Sequence, residues 1–498
     1  VTAALASLPL LAVIGLMLGL RWRAVYAGLA GLAAAVVIAI GLFGLGLTRL
    51  PQFGPAAATG GALLEAGFTT VSILWIIFPA LMLYELQSRS GALLTLRAAV
   101  GHVSSAPRAQ VVLIAWFFGL FMEGAAGFGT PVALTAPLLV GLGYRPTRAV
   151  ALALIGHGAG VSFGALGTPV LAQAALSAIP AMEIARETAL LNAAVGWSLL
   201  AALVWLAGDG APTRRDWAMA GLAGVCFYAP YLALALWVGP ELPTVGGALI
   251  GGFGFAVIMS LRRKVAASLD SRKVIQAILP YGLIVALVLA TRLVPPLSEA
   301  LRSVALTWSI GGVFRGELLP LYHPGAILFA GLLIGGLFQG RTLAEFGTAA
   351  AAAAGRLILV AAALLAMLAL SRVMVHAGMI EVLAGAAAAT GGLWPFIAPF
   401  TGVLGTFVTG SATASNILLT PFQSNAAAAL NLPPVSMAAA QGFGAGIGNI
   451  ICPHNIVAGG ATVGLNGQEG EVLRQTLAVC LPSVVVAGVL VFWLTLQA

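Results

Sequence analysis

Few residues in this chain can do chemistry, and they stand in unusual places. Glu123 opens EGAAGFGTPV at 123–132, between the apolar runs VVLIAWFFGLFM and ALTAPLLVGLG. His157 lies in GHGAG at 156–160, and His454 in CPHN at 452–455. In apolar surroundings a carboxyl group favours its protonated form, and an imidazole changes charge in the physiological range. An ionised side chain in hydrocarbon costs at least about 2.5–3.5 kcal/mol on insertion scales, so it has a task or a partner. Glu123, His157 and His454 are therefore candidate proton-coupling residues. Each also has a simpler reading: a glutamate capping the break that follows it or paired with an arginine, and histidines satisfied within a core.

Uncharged polar groups form a second set. Thr409, Ser411, Thr413, Ser415 and Asn416 crowd one short stretch, and Asn449, His454 and Asn455 another. Thr130 and Thr168 each stand in a Gly-Thr-Pro turn. Hydroxyls and amides donate to a carboxylate and also accept from a hydroxyl, so these groups suit a small hydroxylated carboxylate. The simpler reading is that Ser and Thr bond their own helix backbone while the glycines serve helix packing.

All of these residues sit in four interruptions of apolar sequence, at 123–131, 161–169, 409–416 and 446–455. Glycine costs roughly 1 kcal/mol and proline about 3 kcal/mol inside a helix, so such clusters end one. Broken backbone at membrane depth must face protein or a watery cavity. A helix that restarts after a break presents its positive N-terminus to whatever occupies that cavity. The breaks are thus predicted to hold an anion. The expected substrate contacts are Gly129, Thr130, Thr168, Gly410, Ser411, Thr413, Ser415, Asn416, Asn449, His454 and Asn455.

The elements that must carry these breaks are membrane helices. Of 498 residues, 60% are hydrophobic and 8% charged; a soluble protein carries about three times that charge fraction. Apolar runs such as 24–46, 274–290 and 478–496 recur throughout, each about the 20 residues that a bilayer core demands. The chain reads as an all-α polytopic membrane protein with about 12–14 hydrophobic segments. The first apolar run carries its charges after it, where a secretory signal carries them before it, so it is expected to be a mature helix. The net charge of +8 resides in short loops, as positive-inside sorting requires, and implies no nucleic acid. The densest basic loop, 261–273, is predicted to be cytoplasmic, as are Arg21 and Arg23. That loop separates an N-terminal unit, 1–260, from a C-terminal one, 274–498. Cys226, Cys452 and Cys480 are scattered in apolar sequence and form no metal or redox spacing.

The two halves echo each other. GAAGFGTPVALTAP from Gly124 and GSATASNILLTP from Gly410 share an offset of 286 residues with GHGAG at 156–160 and GFGAG at 442–446. The loop charges place Arg89 inside and the region near Arg372 outside, so the copies are expected to have opposite topology. Inverted repeats with helices broken at mid-membrane mark secondary transporters. Glu85, Arg89, Arg372 and His376 fall at helix ends, where a snorkelling or topological role is expected. Asp209, Asp216 and Asp270 fall in loops, where solvation is expected.

EGAAGFGTPVALTAPLLVGLGYRP, SFGALGTPV, TGSATASNILLTPFQ and GNIICPHNIVAGGATVGLNGQEGEVLR together resemble the L-lactate permease family, over roughly residues 60–480. The resemblance implies a proton-coupled symporter of L-lactate and related 2-hydroxymonocarboxylates, D-lactate and glycolate, in the bacterial inner membrane. It implies a fold of two inverted repeats with re-entrant hairpins. For the site it points to Glu123, Gly124, Gly127, Gly129, Thr130 and Pro131, and to Gly410, Ser411, Thr413, Ser415 and Asn416. No cofactor is expected; the proton is the co-substrate, and hydroxyl- and carbonyl-rich breaks also suit sodium. Expected partners are a small monocarboxylate and membrane lipid, and a homodimer is compatible with the sequence. A sodium-coupled carboxylate symporter and a passive anion channel are the alternatives. The apolar segments contain no paired acids, HExxH pattern or nucleophile–base set, so no enzyme is expected.

Overall fold

The computed structural model describes residues 2–497 except 21, 103–105, 128, 263–270 and 466. Arg21, Asp270 and most of the basic loop 261–273 thus lie outside the described residues. Helices α1 (Thr2–Gly19) and α2 (Ala24–Gly41) lead into α3 (Gly54–Arg89), with α4 (Ala92–His102) after it. Next, α5 (Pro107–Val111), a π-helical stretch (Val112–Phe118) and α6 (Gly119–Ala125) run on as one segment. Then come α7 (Thr130–Gly141), α8 (Pro146–Gly158), α9 (Gly164–Ser177) and α10 (Ala181–Leu206). Helices α11 (Arg214–Trp237), α12 (Pro243–Arg262), α13 (Ser271–Leu293) and α14 (Pro295–Arg302) fill the middle of the chain. A hairpin of β1 (Leu306–Ile310) and β2 (Phe314–Leu318) and helix α15 (Pro324–Phe338) follow. The last third comprises α16 (Leu343–His376), α17 (Met379–Ala388), α18 (Trp394–Thr409), α19 (Ala412–Leu430), α20 (Pro434–Gly448), α21 (Pro453–Thr462) and α22 (Glu469–Thr495).

Among the described residues, ten helices are long and apolar enough to cross a bilayer. Two pairs bent at a break, 146–158 with 161–177 by 61° and 434–451 with 453–462 by 40°, bring the number to twelve. Three shorter apolar helices, 2–17, 130–141 and 324–338, complete the set. The expected 12–14 hydrophobic segments thus divide into full spans, bent pairs and short helices.

The element order from α3 to α10 recurs from α16 to α22. A very long helix (36 residues in α3, 34 in α16) is followed by a short one and then by two broken segments and a long closing helix. The leading helices pack along each other and run antiparallel. His376 Nε2 donates to Glu65 Oε2 at 2.8 Å near one end, with Arg372 Nε at 3.9 Å. At the other end Arg356 pairs with Glu85 at 2.9 Å, and Arg89 donates to the same carboxylate at 3.3 Å. Glu65 and Glu85 are 20 residues apart, about 30 Å along a helix. The helix-end charges predicted to be topological are thus the clamps between α3 and α16.

Close helix contact elsewhere rests on missing side chains. A Cβ on Gly444 of α20 would sit 1.9 Å from the Pro399 carbonyl oxygen of α18, and one on Gly402 of α18 would sit 2.4 Å from the Gln441 oxygen of α20. Only glycine admits this approach, the small-residue packing of membrane helices.

The chain is helical as expected, and the β1–β2 hairpin is a small addition to that architecture. LTWSIGGVFRGEL alternates in β-prone residues around a Gly-Gly pair, a hairpin signal. Gly311 and Gly312 both take positive φ, and Ile310 pairs with Phe314 across the turn. Two five-residue strands flanked by long apolar helices had no weight against the overall composition.

Candidate functional site

All four predicted breaks are present, and they converge. The first lies between α6 and α7, where Gly129 is left-handed (φ 79°). In the second, a 3-10 turn (Val161–Phe163) precedes Ala165, Leu166 and Gly167, all left-handed, and the helix proper of α9 follows. Gly410, left-handed at φ 77°, and Ser411 make the third, between α18 and α19. The fourth is a 3-10 turn (Asn449–Ile451) and an extended Cys452 before α21. Each break thus ends in a fresh helix N-terminus, that of α7, α9, α19 or α21. Helix α9 packs on α19 and α7 on α21, so the tips interlock across the two halves.

Between the tips lies a cavity of about 40 Å³ lined by Glu123, Gly129, Gly410, Ser411, Thr413, Asn449 and Asn455, with Gly127, Val161, Gly164, Ala165, Pro169 and Ala412 completing the wall. That is room for roughly three or four water-sized groups. Four helix N-termini border it, each bringing a partial positive charge. The polar side chains arm it for hydrogen bonding, and Glu123 is the one carboxylate in its wall.

Glu123 and the amides are joined through His157. His157 Nδ1 donates to the Ala153 carbonyl oxygen at 2.7 Å, and Nε2 lies 3.2 Å from Asn449 Oδ1 and 3.9 Å from Glu123 Oε2. Asn455 Nδ2 donates to both Asn449 Oδ1 (2.8 Å) and the Asn449 carbonyl oxygen (3.3 Å). Because that carbonyl can only accept, it fixes the Asn455 amide nitrogen, and Asn449 Oδ1 is left as an acceptor toward His157. The network therefore accommodates a ring with protons on both nitrogens and the Glu123 carboxylate as its counter-charge. Moving that proton to Glu123 sets Nε2 and Asn449 Oδ1 acceptor to acceptor, so proton position and the orientation of Asn449 are linked.

Other expected contacts lie elsewhere. Thr130 Oγ1 donates to the Gly127 carbonyl oxygen at 2.7 Å and Thr168 Oγ1 to that of Ala165 at 2.6 Å, so both hydroxyls clamp their own turns. Ser415 Oγ donates to the Gly402 carbonyl oxygen and accepts from Gln441 Nε2, within the α18–α19–α20 packing. Asn416 Nδ2 donates to the Pro169 carbonyl oxygen behind the cavity wall. His454 is exposed on the first turn of α21, over Gly410, and does not line the cavity. Gly164 and Ala165 line it without having been anticipated as contacts; the only sign was their place inside the second break.

A polytopic helical bundle whose broken helices aim their N-termini into one polar cavity has the architecture of a membrane transporter. The sequence model of the L-lactate permease family matches residues 2–497, and the chain belongs to that family. It is 32% identical to an L-lactate permease of Streptococcus iniae, covering 88% of this chain and 93% of that one. It is 28% identical to an L-lactate permease of Bacillus subtilis, covering 92% and 89%. The glycolate permease GlcA of Escherichia coli is 29% identical, covering 96% and 92%. Among solved structures, MtrF of Neisseria gonorrhoeae, described as one of a class of antimetabolite efflux pumps, aligns with a TM-score of 0.53 at 16% identity, covering 96% of both chains. The YdaH transporter of Alcanivorax borkumensis aligns at 0.54 and 16% identity, covering 93% and 97%. At that identity the likeness is one of fold. The chain is thus a multi-pass membrane permease and not an enzyme.

Proposed function

We propose that this chain is a secondary active transporter of the bacterial inner membrane that carries L-lactate, and related 2-hydroxymonocarboxylates such as D-lactate and glycolate, together with a proton. The observation that carries the reading is the convergence of four helix N-termini on a cavity edged by Asn449 and Asn455 and joined to Glu123 through His157. The carboxylate lies against the N-termini of α19 and α7, where the helix dipoles favour an anion. Asn455 and Thr413 meet the 2-hydroxyl. A proton taken up on the Glu123–His157 pair offsets the substrate charge, which lowers the cost of passing the loaded site through a low-dielectric pathway.

The cavity holds the carboxylate end but is tighter than a whole lactate, so loading requires the tips to part. The antiparallel run of α3 and α16, the corresponding helices of the two halves, supports an inverted repeat. Such a repeat lets one bundle move against the other to open the site to either side. With the basic loop 261–273 cytoplasmic, the end of α16 that carries Arg372 faces outward.

Glu123→Gln keeps the shape and removes the charge. In proteoliposomes it is expected to abolish uphill L-lactate uptake driven by a pH gradient while lactate–lactate exchange persists. Uphill uptake at the wild-type level would remove Glu123 from coupling. Uptake by the wild-type protein that stops when choline replaces sodium would make sodium the coupling ion.

A further inference from the structure

The family site accounts for the four breaks, but a second polar cavity, of about 880 Å³, lies under the β-hairpin. Its walls come from α3, the end of α9, the hairpin, α16 and α19, with Arg315 and Arg372 among them. The charged groups facing it are Glu65, Glu317, Arg315 and Arg372, and His376 stands beside Glu65. Glu65 is already engaged on both oxygens: Oε1 accepts from the Arg315 backbone N–H at 2.9 Å and Oε2 from His376. Arg372 is largely buried, its Nε stands 3.9 Å from Glu65 Oε2 without a hydrogen bond, and its guanidinium donates to the Ala175 carbonyl oxygen at 3.2 Å. The Arg315 guanidinium is exposed and makes no ion pair among the described residues. A planar guanidinium with spare donors is the group that recognises a carboxylate in two-pronged fashion.

A second observation ties this cavity to the central one. On α19, Asn416 Oδ1, Thr420 Oγ1 and Ser424 Oγ are all buried and lack a hydrogen-bond partner. They are spaced i, i+4 and i+8, so they form one stripe along the helix. Asn416 bonds the carbonyl of Pro169, which lines the central cavity, and Ser424 lines the cavity under the hairpin. The stripe spans about 12 Å. Buried polar atoms are ordinarily paired, and these three in register form a polar stripe on α19 that starts behind the wall of the central cavity and ends in the wall of the cavity under the hairpin.

We infer that the cavity under the hairpin is an entry subsite for the monocarboxylate, where Arg372 and Arg315 capture the carboxylate, and that the closed Asn416–Thr420–Ser424 stripe is the polar track it follows to the central site once the helices part. The inference rests on the transport reading above. Glu317, on the same strand face as Arg315, limits the local positive charge, so the subsite collects the anion without trapping it.

The test is L-lactate and glycolate uptake in right-side-out and inside-out vesicles carrying the full chain. Arg315→Gln and Arg372→Gln are each expected to raise KM about tenfold for entry from the hairpin face. Maximal rate should stay within about twofold, and entry from the other face should be unchanged. Because Arg315 is exposed, its variant reports even where Arg372→Gln fails to assemble. Unchanged KM in Arg315→Gln, or a rise that is equal from both faces, overturns the subsite while leaving transport standing. A wild-type protein that moves neither anion overturns the transport reading and the subsite with it.

Discussion

On the proposed proton-coupled reading, Gly164→Ala tests whether the position of the Glu123 carboxylate, and not only its presence, sets coupling. Gly164 has φ −63° and ψ 157°, ordinary backbone for alanine, so the substitution adds no backbone strain. The added Cβ would lie 2.1 Å from Glu123 Oε1, 3.1 Å from Cδ and 3.5 Å from Cγ. Ordinary contact begins near 3.4 Å, so the oxygen must retreat by about 1.3 Å. Gly127 borders the same oxygen, which leaves rotation of the Glu123 side chain as the way out. Such overpacking typically costs about 1–3 kcal/mol, within reach of a folded protein. A displacement of about 1 Å in a functional group lowers its effectiveness on the order of 100-fold. Lactate accumulation driven by a pH gradient in proteoliposomes should therefore fall about ten- to hundredfold, with lactate exchange retained. Gly60→Ala, whose Cβ meets nothing within 4 Å, is the control. Wild-type accumulation by Gly164→Ala would refute the reasoning, and so would an equal loss of exchange.

Arg292 pairs with the buried Glu241 at 2.6 Å, so Arg292→Met strands a carboxylate and should cost about 3–5 kcal/mol. The double change with Glu241→Gln should recover most of the loss in thermal unfolding. Arg148 donates to the carbonyl oxygens of Leu206 and Gly208 and to Asp209 at the end of α10. Arg148→Ala should lower stability by about 1–3 kcal/mol in the same assay. The hydrogen bond from Arg148 holds the Asp209 carboxyl below its ordinary value of 3.8. Its contribution is therefore present above that value and lost as pH falls through the depressed one. Since Asp209 is exposed, this acid loss should be small, and it should be missing from Arg148→Ala.

How much of this was legible in the sequence depends on which physical rule governs each residue. The four breaks were, because glycine and proline interrupt a helix whatever surrounds them. Glu123, Asn449 and Asn455 were placed at the cavity by the same logic. The facing of side chains within a restarted helix was harder to read. Thr413 lines the cavity and Ser415 does not; two residues turn a helix by about 200°, so both cannot face it. His454 and Asn455 are separated in the same way by about 100°. Thr130 and Thr168 bond within their own turns, because a hydroxyl at the start of a helix meets the carbonyl three residues back first. The ion pairs of Glu65 with His376 and of Glu85 with Arg356 were beyond reach, since they join residues 311 and 271 positions apart. Charge patterning along one helix says nothing of such partners.

The clamps on α3 and α16 also fix a length. Their two charged belts stand about 30 Å apart along the pair, the hydrocarbon thickness of an ordinary bilayer. A thinner membrane leaves apolar helix in water, and a thicker one draws Glu65 or Glu85 with its arginines into the acyl chains. The helix pair can answer only by tilting or by deforming the lipid around it, at a cost that grows with each ångström of mismatch. The acyl-chain length of the host vesicle thereby becomes a variable of transport in its own right, acting on the α3–α16 pair rather than on the central cavity.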